Sequence, residues 1–261
     1  MSGHSKWATT KHKKAANDAK RSKLWAKLVK NIEIAAKLGG ADVEGNPSLA
    51  DALIKARKQS VPKDNIDRAV KRGAGIGGES INYEEKIYAG MYNGVAILIE
   101  CLTDNINRAI SEVGTVLKKN GATQSEVASV QFNFDRKGLI IVSKETDVEV
   151  KGEKKPVHKS YEFDDVFMVA AEAGAENVEE IQGENSDGDL EDQFEIITAV
   201  NDLGAVRDAL VAAGVEYNSA DNVWYPNNKV DVDESTAEKV LNVIDLLDEL
   251  DDVQNVYDNM G

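Results

Sequence analysis

Apolar residues recur at helical spacing through the first third of the chain and in strand-length runs after it. From about Asn17 the pattern is helical: Leu24, Leu28 and Ile32 repeat every four residues, with Trp25, Val29 and Ala36 on the adjoining strip, and Gly39-Gly40 ends the run. A second helix is predicted after Asn46-Pro47-Ser48, with Leu49, Leu53 and Ile54 turned inward, and a third from Pro62 to Gly73 carrying Ile66, Ala69 and Val70. These three short amphipathic helices make a small bundle, and Gly73–Gly78 reads as a hinge behind it.

After residue 80 the texture changes. Val95–Leu102 is a continuous apolar run of strand length, followed by a Thr103-Asp104 helix cap, a helix to Asn120-Gly121, and an alternating, strand-like stretch at Ser129–Phe134. Similar units follow, with strands at Gly138–Val142, Phe194–Val200, Val223–Tyr225 and Val253–Tyr257, an extended stretch at Val215–Tyr217, and helices at Asp164–Ala173, after Asn201-Asp202, and at Glu234–Leu250. Four helices with flanking strands sort into two ferredoxin-like βαββαβ units. The preferred sorting is an α+β chain with a basic arm and helical bundle at 1–80, a first α/β domain from 81–134 and 220–261, and an inserted second α/β domain at 135–219. Two consecutive units fit the periodicity nearly as well. Residues 183–193 read as an acidic, solvent-exposed loop.

Charge changes this picture most. In the first thirty residues Lys6, Lys11, Lys13, Lys14, Lys20, Arg21, Lys23, Lys27 and Lys30 face a single acid, Asp18. Residues 1–80 hold 17 basic and 8 acidic residues, which leaves 14 basic and 38 acidic residues for the rest of a chain whose formal net charge is -15. A cationic end attracts polyanions while an acidic body repels them and confines the contact to one face. Flexible ammonium groups neutralise phosphates without reading bases, so Lys6, Lys11, Lys13, Lys14, Lys20, Arg21 and Lys23, with His12 among them, are the candidate nucleic-acid-binding residues. Trp7 either stacks on a base or anchors the arm on the bundle. Arg68, Lys71 and Arg72 either extend the binding face or form ordinary helical salt pairs.

Other chemistry is hard to find. The histidines are His4, His12 and His158, and with Cys101 they make neither a metal site nor a triad, so no catalytic residue, metal or cofactor is expected. Cys101 closes an apolar strand and reads as inert packing. Gly73–Gly78 lacks the GK[ST] ending of a phosphate-binding loop. Of the 261 residues 42% are hydrophobic and 30% charged, which argues against global disorder, and no apolar run approaches the roughly 20 residues that span a bilayer. A lone cysteine suits a reducing compartment, so a cytoplasmic protein with no membrane partner is expected.

The chain resembles the YebC family of bacterial proteins, whose mitochondrial relative is the translational activator of cytochrome c oxidase. The resemblance spans the length, through GHSKW at 3–7, KHKKAANDAKRSK at 11–23, NPSLADAL at 46–53, VPKDNIDRAVKRGAG at 61–75, YEEKIYAG at 83–90, ILIECLTDNINR at 97–108, AAEAGAENV at 170–178 and DDVQNVY at 251–257. This chain departs from the family's glycine-rich loops at GMYNG, 90–94, and ATQSEVAS, 122–129, so contacts from those loops are not carried over. The resemblance implies three domains, one α/β domain being inserted in the other. It also implies a nucleic-acid-linked role that is divided within the family. The preferred expectation is a ribosome-associated translation factor, expected to be monomeric, that binds ribosomal RNA and relieves stalling at difficult sequences such as proline runs. The alternative is a transcriptional regulator of double-stranded DNA, and an acidic protein-interaction module comes third.

Overall fold

The computed structural model describes residues 18–76, 82–148, 156–184 and 190–261. Helices α1 (Asp18–Gly39), α2 (Pro47–Lys58) and α3 (Lys63–Gly73) form the N-terminal bundle. Its core is Ile32, Ala36, Leu49, Leu53, Ile66 and Ala69, all buried, with Trp25, Leu28 and Val70 packed against them. Asn46 caps α2 by accepting from the Leu49 amide at 3.1 Å, while its own amide donates to the Ala35 carbonyl at 2.8 Å. One residue thus ends α1 and starts α2. Gly73 makes the close approach of α3 to α1 possible, because a Cβ there would overlap the Glu33 carbonyl.

Two antiparallel sheets follow. The first contains β1 (Glu84–Tyr92), β2 (Val95–Thr103), β3 (Thr123–Ser125) and β10 (Val253–Asp258) in the order β10-β2-β1-β3, with helices α4 (Ile106–Lys119) and α8 (Glu234–Asp248) on its outer face. Asn93-Gly94 joins β1 to β2 in a two-residue loop with φ of 45° and 87°, which suits these two residue types and fixes the hairpin register. The second sheet contains β4 (Phe134–Ser143), β7 (Ala175–Glu184), β8 (Leu190–Thr198) and β9 (Ser219–Pro226) in the order β7-β8-β4-β9. Its outer face carries α6 (Phe163–Glu172) and α7 (Leu203–Ala212). A four-residue helix α5 (Ala128–Gln131) leads into β4, and a separate hairpin, β5 (Glu145–Val148) with β6 (Val157–Ser160), precedes α6. Taken in chain order, β4, α6, β7, β8, α7 and β9 are a βαββαβ unit of ferredoxin type.

The inner faces of the two sheets meet. Alternate residues of β2 divide between them: Val95, Ile97, Ile99 and Cys101 face the helices, whereas Ala96 and Leu98 join Leu139, Ile141, Ile197, Val223 and Tyr257 in the layer between the sheets. Burial on both faces explains the continuous apolar run of β2 and the apolar stretch Leu139–Val142 of β4. The body is therefore four layers: helices, sheet, sheet, helices.

Several expectations need correction. The stretch Ser129–Phe134 is not a strand: it is the short helix α5 and a turn, with Val130 buried and Phe132 exposed, and the strand after α4 is β3. Strands β1, β5, β6 and β7 escaped the pattern. Val215–Tyr217 is not a strand; β9 begins at Ser219. The division at residue 220 assigned β9 to the outer unit, but β9 pairs with β4 over Phe134–Ile141 and is the edge of the second sheet. Phe134, placed with the first unit, likewise begins β4. Its period alone cannot say which sheet a strand joins.

Candidate nucleic-acid interface

Lys6, Trp7, Lys11, His12, Lys13 and Lys14, the core of the basic arm, lie outside the described residues. Lys20 sits in the first turn of α1. The described basic residues fall into two groups.

The first group faces inward. Lys23, Lys27 and Lys30, spaced by four and three, share one face of α1, and that face meets the C-terminal end of α8. Lys23 donates to the Glu249 carbonyl at 2.7 Å, Lys27 to the Asp248 carbonyl at 3.2 Å, and Lys30 to the Asp251 carbonyl at 2.8 Å. Lys27 and Lys30 also pair with the carboxylates of Asp248 and Asp252 at 3.5 and 3.4 Å. The last carbonyls of a helix have no partner within it and carry the negative end of its dipole, so a lysine row is a fitting cap. Burial pulls the Lys27 ammonium below its ordinary pKa, with Asp248 opposing the shift.

Asp252 is the pivot of this joint. It is buried and accepts from Arg108 Nε at 2.9 Å and from Thr103 Oγ1 at 2.9 Å, and Arg108 also grips Asp104 at 2.7 Å. Hydrogen bonds to both carboxylates raise the Arg108 pKa further. Beside the joint is a cleft of about 430 Å³ lined by Lys23, Lys27, Lys30, Tyr83, Arg108 and Asp252, among others.

A second joint links α2 to the second sheet. Asp51 pairs with Arg207 at 2.9 Å, and Lys55 with Asp221 at 2.7 Å. Lys58 donates to the Tyr217 carbonyl at 2.8 Å, with its ammonium over the Tyr217 ring. Partial burial pulls the Lys58 pKa down to about 8, against the attraction of Glu216.

The second group faces outward. Arg57, Lys63, Arg68 and Lys71 are exposed on α2 and α3. Arg68 bonds within its own helix, to the Asp64 carbonyl at 3.1 Å and Asn65 Oδ1 at 2.6 Å. Arg21 lies over the Trp25 ring at 5.9 Å, and the Trp25 indole donates to the Gln59 carbonyl. Arg72 behaves differently from the expectation: it pairs at 2.8 Å with Glu33, which is buried in α1, so its guanidinium ties α3 to α1. Burial raises the Glu33 pKa, and Arg72 opposes the shift.

Sequence reasoning therefore named Lys23 without its partner, and passed over Lys27, Lys30 and Arg108 as site residues. The regular lysine spacing was visible; the α8 end that receives it lies more than 200 residues away. As for other chemistry, the Cys101 thiol is buried and pushed up to about 12, chiefly by that burial. His158 lies on the exposed β6 strand, 3.1 Å from Asp147. Among the described residues no group of three or more His, Cys, Asp or Glu side chains is placed to hold a metal ion, and no helix is long and apolar enough to cross a membrane.

Comparison with known proteins decides the family. Residues 5–76 match the TACO1/YebC protein N-terminal domain, and residues 83–260 match the TACO1/YebC second and third domain. The chain belongs to the TACO1/YebC family. A probable transcriptional regulatory protein of Acidothermus cellulolyticus is 51% identical over 260 residues, covering 99% of this chain and 96% of the relative. A protein of the same description from Bifidobacterium longum is 53% identical over 260 residues, covering 99% of this chain and 94% of the relative. The crystal structure of a conserved hypothetical protein from Aquifex aeolicus superimposes with a TM-score of 0.81 at 37% identity, over 98% of this chain and 97% of that one. The fold and its basic N-terminal region are thus those of a TACO1/YebC protein.

Proposed function

We propose that this protein is a nucleic-acid-binding regulator of gene expression that acts in translation, as a ribosome-associated factor that binds ribosomal RNA and relieves stalling at difficult sequences such as proline runs. The observation that carries the reading is the separation of charge: cations concentrate in residues 1–80, and the remaining residues are strongly acidic. Lysine ammonium groups suit a phosphate backbone recognised by shape, as folded RNA is. The exposed Arg57, Lys63, Arg68 and Lys71 continue that positive character onto the surface of the bundle. The protein performs no bond chemistry in this reading; it stabilises a productive arrangement of the ribosome. The test is reconstituted translation of a reporter containing a proline run. Added protein is expected to raise the full-length yield, and the Lys11/Lys13/Lys14→Glu variant is not. Equal yields with and without the protein would overturn the reading.

The description of the relatives as probable transcriptional regulatory proteins favours a second reading, a regulator of double-stranded DNA. It requires side chains that read base edges in a groove, beyond backbone contact. Selection from a random duplex pool tests it: a defined operator preferred over random DNA by about a thousandfold or more would decide for transcription.

A further inference from the structure

We propose that the docked bundle is a closed state, in which the C-terminal end of α8 occupies Lys23, Lys27 and Lys30, and that a nucleic-acid backbone competes for these lysines and so releases the bundle from the α/β body. The inference rests on the nucleic-acid reading above and adds to it a regulation of the same basic region.

The contacts themselves carry the argument. The three ammonium groups that meet α8 lie on one face of α1 and are held by carbonyl and carboxylate oxygens. A phosphate offers the same lysines an oxygen acceptor with a full charge. The α8 end covers Lys27 and Lys30, whose side chains are only 16% and 17% exposed, so a backbone reaches them only when the joint opens.

The joint is also weak in the right way. The bundle has its own apolar core, and the three clusters of the body include no bundle residue. What holds the two together is polar: the lysine row on α8, and Asp51–Arg207, Lys55–Asp221 and Lys58–Tyr217 at α2. The pairs at α2 are partly exposed, so they are screened by salt and contribute little individually, and the lysine row carries the joint. The cleft of about 430 Å³ beside the lysine row adds that the facing surfaces are not packed at interior density. A bound polyanion would also repel the acidic body, which pushes in the same direction.

Fluorescence energy transfer reads the docking directly. Glu44→Cys in the bundle and Glu238→Cys on α8 place dyes at two exposed positions, while Cys101 is buried. Binding of a 20-nucleotide single-stranded RNA is followed in parallel by anisotropy of labelled RNA with unlabelled protein. Transfer efficiency is expected to change over the same RNA concentrations that raise the anisotropy. The body-side variant Arg207→Ala/Asp248→Ala, which leaves every lysine in place, is expected to bind RNA about three- to tenfold more tightly. A full anisotropy rise with unchanged energy transfer, or unchanged affinity in the variant, would overturn the closed state and leave the nucleic-acid reading standing. No anisotropy rise with RNA or with a 20-base-pair DNA duplex would overturn the nucleic-acid reading, and this inference with it.

Discussion

Trp224 of β9 donates its indole N–H to Glu100 of β2 at 2.9 Å, and so ties the edge of the second sheet to the middle of the first. The same carboxylate oxygen accepts from Arg136 of β4 at 2.8 Å, and the other accepts from Tyr257 and Asn255 of β10, each at 3.0 Å. Arg136 also stacks over the Trp224 ring at 5.0 Å. Glu100 is thus the polar tie in the layer between the sheets, and all of its acceptor positions are used.

Removing that carboxylate leaves several donors unpaired between the sheets. Glu100→Ala is expected to destabilise the body by about 1–3 kcal/mol, the scale for leaving donors unpaired in a part-buried network. Glu100→Gln keeps the shape and an acceptor and should cost less. Urea unfolding followed by Trp fluorescence checks both; equal midpoints for wild type and Glu100→Ala would contradict the role.

Glu195 makes a pH-dependent contribution. Its side chain is buried between the sheets, where Tyr225 donates to Oε1 at 2.9 Å and Oε2 finds no hydrogen-bond partner among the described residues. Burial raises its pKa in the folded state, only partly opposed by Tyr225. The folded chain therefore holds the proton more tightly than the unfolded one, whose glutamates titrate near about 4.3. Its contribution is fully present below that value and is lost as pH rises through the higher folded pKa. Glu195→Gln should be the more stable form at pH 7, by about 1–2 kcal/mol, with the gap closing towards pH 4. A variant less stable than wild type at pH 7 would contradict this.

Gly73 tests the contact between α1 and α3. The Cβ of Gly73→Ala would meet the Glu33 carbonyl, and backbone cannot swing aside as a side chain can. A loss of about 1–3 kcal/mol is expected, the usual cost of overpacking, although Ala is the better helix former. Thermal unfolding of the bundle reads it out, and a raised melting temperature would count against the packing described.

Cys101 should be silent to thiol reagents. With its thiol buried and pushed up to about 12, the thiolate is scarce near neutral pH. Labelling with a disulfide reagent is expected to be slow in the native protein and complete within the mixing time in denaturant. Fast native labelling would mean that the end of β2 opens readily.

Much of the fold was legible in the sequence because its elements carry strong periods. The helices of the bundle, α4 and α8 show one apolar stripe each, and β2 and the second half of β4 are apolar on both faces. β1 and β7 were missed for a physical reason: AENVEEIQGE mixes acids and small residues with few apolar ones, and the apolar residues of EEKIYAGMY neither alternate nor form an unbroken run, so the pairing of both comes from neighbours in the sheet. Ser129–Phe134 misled in the other direction, since Val130 and Phe134 are buried without being in one strand. At the interface, the positive character of α1 was plain, but its occupation was not. Nothing local in Lys23, Lys27 or Lys30 points to Asp248–Asp252, and Arg72 gives no local sign of the buried Glu33 that holds it.

We propose that the basic N-terminal region engages the ribosome through its RNA. Sucrose-gradient co-sedimentation with ribosomes at physiological salt tests it most directly, with the wild type beside the Lys11/Lys13/Lys14→Glu variant. The wild type should travel with the ribosome and the variant should stay near the top of the gradient. A wild type that never leaves the top, even with ribosomes stalled on proline runs, would contradict the account and turn attention to operator DNA.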